Sequence, residues 1–207
     1  MFTVIEGKST EIIVRRSRFI SAAYHAEAPD EVSRLLAAAQ IQWPKATHYV
    51  WAYILQAGDE RMTDDGEPQG TAGSPTLTLL QKSSLVHTAL ITVRYFGGTK
   101  LGTGGLVHAY QQSAKEALAA AQVGEEQDGV SVCLNLPYGE WGTLRKLLED
   151  FRVSPAAEFL DTVTVRFSTS TALWSQLKDV IAYEASPHSI LSSCLPIQYI
   201  APQDRLS

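Results

Sequence analysis

Residues 88–96 read TALITVRYF, residues 97–105 read GGTKLGTGG, and residues 106–121 read LVHAYQQSAKEALAAA. The first run is the most apolar and β-branched of the chain, which places a strand in the middle of a sheet with both faces covered. The last run spaces Leu106, Tyr110, Ala114, Ala117 and Ala121 at helical intervals, so a helix packs closely through small residues. Between them lie five glycines in nine residues. Glycine lets backbone N–H groups turn inward, and a helix N-terminus adds roughly half a positive charge. A strand, a glycine-rich turn and a helix start can therefore cradle an anion such as phosphate, with Lys100 and Arg94 supplying full charges. The turn is neither a Walker motif nor a G-x-G-x-x-G fingerprint. A tight connection whose glycines serve only packing explains the same spacing.

Outward from this point, residues 11–25 look like one strand carrying Arg15, Arg16 and Arg18, with Arg16 and Arg18 on one face. Pro29, Asp30 and Glu31 open a helix over residues 30–42, and residues 48–56 form an aromatic strand. Residues 59–73 read as a polar loop. Ser74 then caps a short helix with Pro75 in its first position. Residues 124–129 are acidic and turn-like, the expected domain boundary. Beyond it, Val130, Val132, Leu134 and Leu136 alternate with polar residues, as do Val163, Val165 and Phe167, while two helical stripes run through Trp141 to Leu148 and Leu173 to Ile181. With short strands near 152–157 and 194–200 the order is βαββαβ, which favours a ferredoxin-like α/β sandwich.

Composition narrows the function. Of 207 residues, 45% are apolar and 19% charged, as in an ordinary folded protein. The net charge is −5; residues 1–129 carry 11 basic against 14 acidic side chains, and residues 130–207 carry 6 against 8. Neither part is a basic glove for nucleic acid, so any anion site is local. Cys133 and Cys194 form no C-x-x-C pair and read as free buried thiols in a reducing compartment. No apolar run approaches the ~18 residues of a spanning helix. A cytoplasmic protein without membrane contact is expected, and no cofactor or metal is required.

A second loop holds Asp64, Asp65 and Glu67 beside Gly66, Pro68 and Gly70. Three carboxylates this close could bind Mg²⁺, or they could shape turns with Glu67 paired to an arginine. His48 could serve as a base, a stacking group or a core histidine. His25, His87, His108 and His188 show no metal-ligand spacing, and no nucleophile has a base beside it in sequence, so no catalytic residue is assigned. An outward ring beside Arg94 or Arg16 could stack on a nucleobase.

Arg16-Ser17-Arg18-Phe19-Ile20, His48 after Pro44-Lys45-Ala46, Asp64-Asp65-Gly66-Glu67-Pro68, Gly70-Thr71-Ala72-Gly73, Val93-Arg94-Tyr95-Phe96-Gly97-Gly98 and Leu101-Gly102-Thr103-Gly104-Gly105-Leu106-Val107 together resemble the signature of the YigZ/Impact family. The resemblance covers about residues 12–121. It implies an α+β chain: residues 1–126 similar to domain 2 of ribosomal protein S5, then residues 127–207 as a ferredoxin-like domain. Eukaryotic relatives regulate translation by binding an activator of a stress kinase; this sequence shows no counterpart of their extra N-terminal domain, so that role is not expected of it. Bacterial members are thought to be associated with nucleic acid or the ribosome. The family often has lysine at Ser74 and lysine or arginine at His108, which implies weaker RNA binding here, or binding recovered as His108 protonates.

The sequence thus supports a non-catalytic protein that contacts RNA or a ribosomal surface through Arg16, Arg18, His48, Arg94, Lys100, His108 and the amides around Gly97, Gly98, Gly102, Gly104 and Gly105, with Asp64, Asp65 and Glu67 ordering the arginines. Its rivals are a Mg²⁺-dependent enzyme acting on a phosphorylated small molecule or nucleotide, and a protein-binding module whose signature loops are purely structural.

Overall fold

The structure, a computed structural model, describes residues 1–56 and 58–202; the last five residues of the expected second domain lie outside the described residues. The chain divides into two compact units, Met1–Glu125 and Glu126–Ala201.

In the first unit, a sheet is built from β2 (Thr10–Val14), β3 (Ser17–His25), β4 (His48–Ile54), β5 (Glu60–Thr63) and β6 (Thr88–Tyr95), in the order β2-β3-β6-β4-β5. The apolar run of β6 is the central strand, buried at every position except its last. Its residues alternate between two helix layers. Ile91 and Val93 pack with α1 (Pro29–Gln42) through Leu35, Leu36 and Ala39. Leu90 faces α2 (Gly73–Ser83) and α3 (Gly102–Ala120) through Leu80, Ala114 and Ala117. Thr92 faces the same way: its hydroxyl meets Ser21 Oγ at 2.7 Å, and Ser21 meets Ser113 of α3 at 2.6 Å. Period 2 then places Arg94 under α3 as well. The register aligns Phe19, Arg94 and His48 in one row across three strands on that face.

In the second unit, β7 (Gln122–Leu136), α4 (Tyr138–Asp150), β8 (Ala156–Phe159), β9 (Val163–Ser170), α5 (Thr171–Val180) and β10 (Ile190–Pro202) follow one another, with a π-helical turn at Ile181–Ala185. β10 pairs with β7, β7 with β9 and β9 with β8. Val130, Val132, Leu134, Leu136, Val163, Val165 and Phe167 are buried against Leu144, Leu148, Leu177 and Ile181, so the alternation seen in the sequence is the core.

Several expectations are corrected. Residues 11–25 are not one strand: Arg15 and Arg16, with φ of 45° and 70°, make a two-residue hairpin turn between β2 and β3, so Arg16 and Arg18 do not share a strand face. Left-handed φ at both positions matches the twist of the flanking strands, although arginine is an unfavourable occupant. The start of the polar loop is strand β5, paired with β4. The α2 helix begins at Gly73 rather than after a Ser74 cap, which puts Pro75 in its third position. Residues 124–129 are strand, not turn. Residues 122–125 pair with β1 (Phe2–Glu6), a strand not anticipated, and 129–136 pair with β9. Glycine is used there for close approach: a Cβ on Gly129 would lie 2.2 Å from Tyr199 Cβ. Cys133 and Cys194 are free, but half-buried rather than buried. Among the described residues no helix is long and apolar enough to cross a membrane.

Candidate functional site

Under the start of α3, Glu67 and Arg94 form an almost fully buried ion pair, with Nη1 donating to Oε1 at 2.5 Å. Tyr110 of α3 donates its hydroxyl to the same oxygen at 2.7 Å. Arg94 Nη2 donates to Ser17 Oγ at 3.3 Å, and the guanidinium lies 5.3 Å from the Phe19 ring centre and 5.6 Å from that of Phe96. Its Nε is buried without a partner. Burial, followed by the Glu67 charge, pushes the Tyr110 phenol far above its ordinary range, so it stays a donor at every ordinary pH. His48 donates from Nδ1 to the Asp65 carbonyl at 2.7 Å, since a carbonyl only accepts, and its Nε2 stands 3.7 Å from Glu67 Oε1.

The loop that brings Glu67 here is held by its own acids. Asp64 Oδ2 accepts from Gly70 N at 2.8 Å, and Oδ1 from Ala72 N and Gly73 N at 3.0 and 2.8 Å. Burial raises the Asp64 pKa, but these three N–H bonds outweigh it and hold the carboxyl below its usual value. Asp64 thereby serves as the acidic cap of α2. Asp65 Oδ2 accepts from Tyr49 N at 2.6 Å. The expected ordering of arginines is thus carried by Glu67 on Arg94 alone. The three carboxylates do not converge on a common point, and the magnesium reading of Asp64, Asp65 and Glu67 is replaced by turn and cap chemistry. Among the described residues no group of three or more His, Cys, Asp or Glu is placed to hold a metal ion.

Arg94 is also corrected as a direct anion contact. With 4% exposure and Glu67 as partner, it is an internal strut. Arg18 lies at the surface but is held by Glu11 through two bonds, Nε at 3.1 Å and Nη2 at 2.9 Å, and over Tyr95. Arg16, Lys100 and His108 are exposed and make no ion pair among the described residues. Arg16 is brought to the glycine turn by its backbone: a Cβ on Gly97 would lie 2.1 Å from the Arg16 carbonyl carbon and oxygen, so only glycine admits this contact. Gly97 N donates to Ser17 Oγ at 3.2 Å.

The start of α3 differs from the other two helices of this unit. α1 has Asp30 and Glu31 in its first turn, and Asp64 occupies the amides at the head of α2. α3 has no side-chain cap and no acid in its first turn. Gly102, with φ of 73°, and Gly104 have open space where a Cβ would be, as does Gly98. Gly102, Gly104 and Gly105 thus belong to the first turn of α3, not to the loop before it. Sequence reasoning missed Tyr110 and Ser17 as members of the buried cluster. The helical spacing of Tyr110 pointed inward, but only the fold pairs it with Glu67.

The Impact N-terminal domain family matches residues 15–118. IMPACT family member YvyE of Bacillus subtilis is 41% identical over 119 residues, 56% of this chain and 55% of that one. An IMPACT family member of Haemophilus influenzae is 35% identical over 147 residues, 68% of this chain and 70% of its own. The match thus spans little more than half the length of the Bacillus relative. A solved structure titled "Crystal structure of an hypothetical protein" superposes with a TM-score of 0.60 at 25% identity, covering 92% of this chain and 95% of that chain. The buried Glu67–Arg94–Tyr110 cluster and the glycine-rich start of α3 both fall within the matched residues, and the chain belongs to the YigZ/Impact family.

Proposed function

We propose that this chain is a non-catalytic, cytoplasmic, two-domain protein that binds RNA, free or within a ribosomal surface, and thereby modulates translation. The reading treats residues 1–126 as an S5 domain 2-like unit and residues 127–207 as a ferredoxin-like unit, in keeping with the strand order β10-β7-β9-β8 of the latter. The observation that carries it is the head of α3, which has glycine amides in its first turn, no cap, no acid, and Lys100 two residues before it, while the Arg16 backbone meets the preceding turn at Gly97. Such a terminus attracts phosphate oxygens through N–H donors and dipole together. Arg94, Glu67 and Tyr110 fix the platform from below, and His48 closes its edge through Asp65.

Filter binding of a short single-stranded RNA at low salt, with ribosome cosedimentation alongside, tests the reading. Micromolar binding that steepens as salt falls is expected, and Lys100→Ala should lower the salt slope by about 0.7. No RNA retention at low salt together with no cosedimentation would falsify it.

A further inference from the structure

We propose that the outer face of α3 and the end of α2 form a track for the sugar-phosphate backbone of single-stranded RNA, with Lys82, His108 and Lys115 as phosphate contacts. This rests on the RNA reading above and extends it to residues well away from the glycine turn.

A groove between these helices is lined by Lys82 and Thr78 from α2 and by His108, Gln111, Gln112 and Lys115 from α3. No carboxylate lines it. The nearest one in sequence, Glu116, accepts from Gln112 Nε2 at 2.8 Å. Lys82, His108 and Lys115 are exposed and make no ion pair among the described residues. No described lysine makes an ion pair among the described residues, so what sets Lys82 and Lys115 apart is that they share one groove with no carboxylate on it. Arginines make the ion pairs instead, Arg18 with Glu11, Arg34 with Asp30, Arg94 with Glu67, Arg145 with Glu149 and Arg166 with Glu158. Lys82 also complements the dipole at the end of α2, but that accounts for neither Lys115 nor His108.

Spacing favours an extended polyanion. Gly104, His108, Gln111 and Lys115 follow one another at three- and four-residue intervals, so they share one face of α3. At 1.5 Å per residue, Gly104 to Lys115 spans about 16 Å, long enough to face several successive phosphates of an extended strand. The track therefore continues from the open amides of the helix start. An acidic peptide would meet the same charges, but peptide docking draws its energy from apolar anchors, and this groove offers Leu79 alone. The two glutamine amides both donate and accept, which suits ribose hydroxyls and base edges.

The test is fluorescence anisotropy of the whole chain with a 5′-labelled oligouridylate of about 12 nucleotides, from 25 to 200 mM KCl. For Lys82→Gln with Lys115→Gln, two lost phosphate contacts should reduce the salt slope by about 1.4 and weaken binding about 60-fold at 50 mM. Lys82→Arg with Lys115→Arg should restore both, and Arg34→Gln should change neither. Thermal melts establish that the variants fold, which their exposed positions favour. Binding within twofold of wild type for the double glutamine variant, while Lys100→Ala still weakens it, would overturn the track and leave the broader RNA reading standing. Groove substitutions that abolish binding of poly-L-glutamate but spare the RNA would overturn it in favour of a protein partner. Failure of the unaltered chain to bind at 25 mM would remove both readings.

Discussion

Glu67→Gln removes the negative end of a pair that has almost no access to water. The Arg94 guanidinium would keep Ser17 Oγ at 3.3 Å and an amide oxygen in place of a carboxylate, with its Nε already unpartnered. Leaving one half of a buried ion pair uncompensated costs about 3–5 kcal/mol. Unfolding entropy near 2.1 cal/mol/K per residue gives about 0.26 kcal/mol/K for the 125 residues of the first unit, so each kcal/mol corresponds to about 4 °C. The calorimetric transition of that unit should therefore fall by about 12–20 °C. Replacing both partners, Glu67→Gln with Arg94→Met, should recover most of the loss, because the penalty belongs to the orphaned charge rather than to the missing attraction. A fall of less than 4 °C for Glu67→Gln, or a double variant no more stable than the single one, would refute the view of Arg94 as an internal strut.

Other consequences are testable by similar means. Tyr110→Phe deletes one hydrogen bond to the same carboxylate and should cost about 1.5–3 kcal/mol in denaturant unfolding. Asp64→Asn weakens the cap of α2 and should cost about 0.5–2 kcal/mol at pH 7. Because the folded Asp64 pKa is depressed, its stabilisation is complete above the ordinary aspartate value near 3.9 and is lost as pH falls through the folded value, so wild type and variant should converge in melts toward pH 2. Gly97→Ala places a methyl 2.1 Å from the Arg16 backbone and should lower stability by several times the ~1 kcal/mol gained by an unstrained Gly→Ala change, as read by thermal denaturation. Gly104→Ala meets no atom within 4 Å and should stabilise α3 by up to ~1 kcal/mol while weakening RNA binding in the filter assay.

The central strand, the helices and the alternation of the second unit were legible because one residue type recurs at the period of its element. Arg94 was not, for a related reason. In a strand covered on both faces every position looks apolar, so the run TALITVRYF does not reveal which alternate set meets α3 or that position 94 belongs to it. The Arg15–Arg16 hairpin was hidden because it lacks the glycine, asparagine or aspartate that marks a two-residue turn. At residues 124–129 the error ran the other way. Glycine and acids suggested a turn, whereas Gly124 faces Thr3 across a strand pair and Gly129 makes room for Tyr199.

The signature residues divide by what a side chain there would meet. A Cβ on Gly73 would strike the Thr63 carbonyl at 2.6 Å, and one on Gly97 would strike Arg16, so these glycines are demanded by packing. Gly98 and Gly102 face open space but carry φ of 81° and 73°, so the backbone conformation itself favours glycine there, and of these three Gly104 alone is free of both demands. The charges divide too: Arg94, Glu67 and Asp64 are consumed inside or along the loop, while Arg16, Lys100, Lys82 and Lys115 are exposed and make no ion pair among the described residues. On the proposed RNA reading, Gly104 at the open head of α3, with Lys100 before it and Lys115 along it, is where a phosphate backbone would come within hydrogen-bond distance of the main chain.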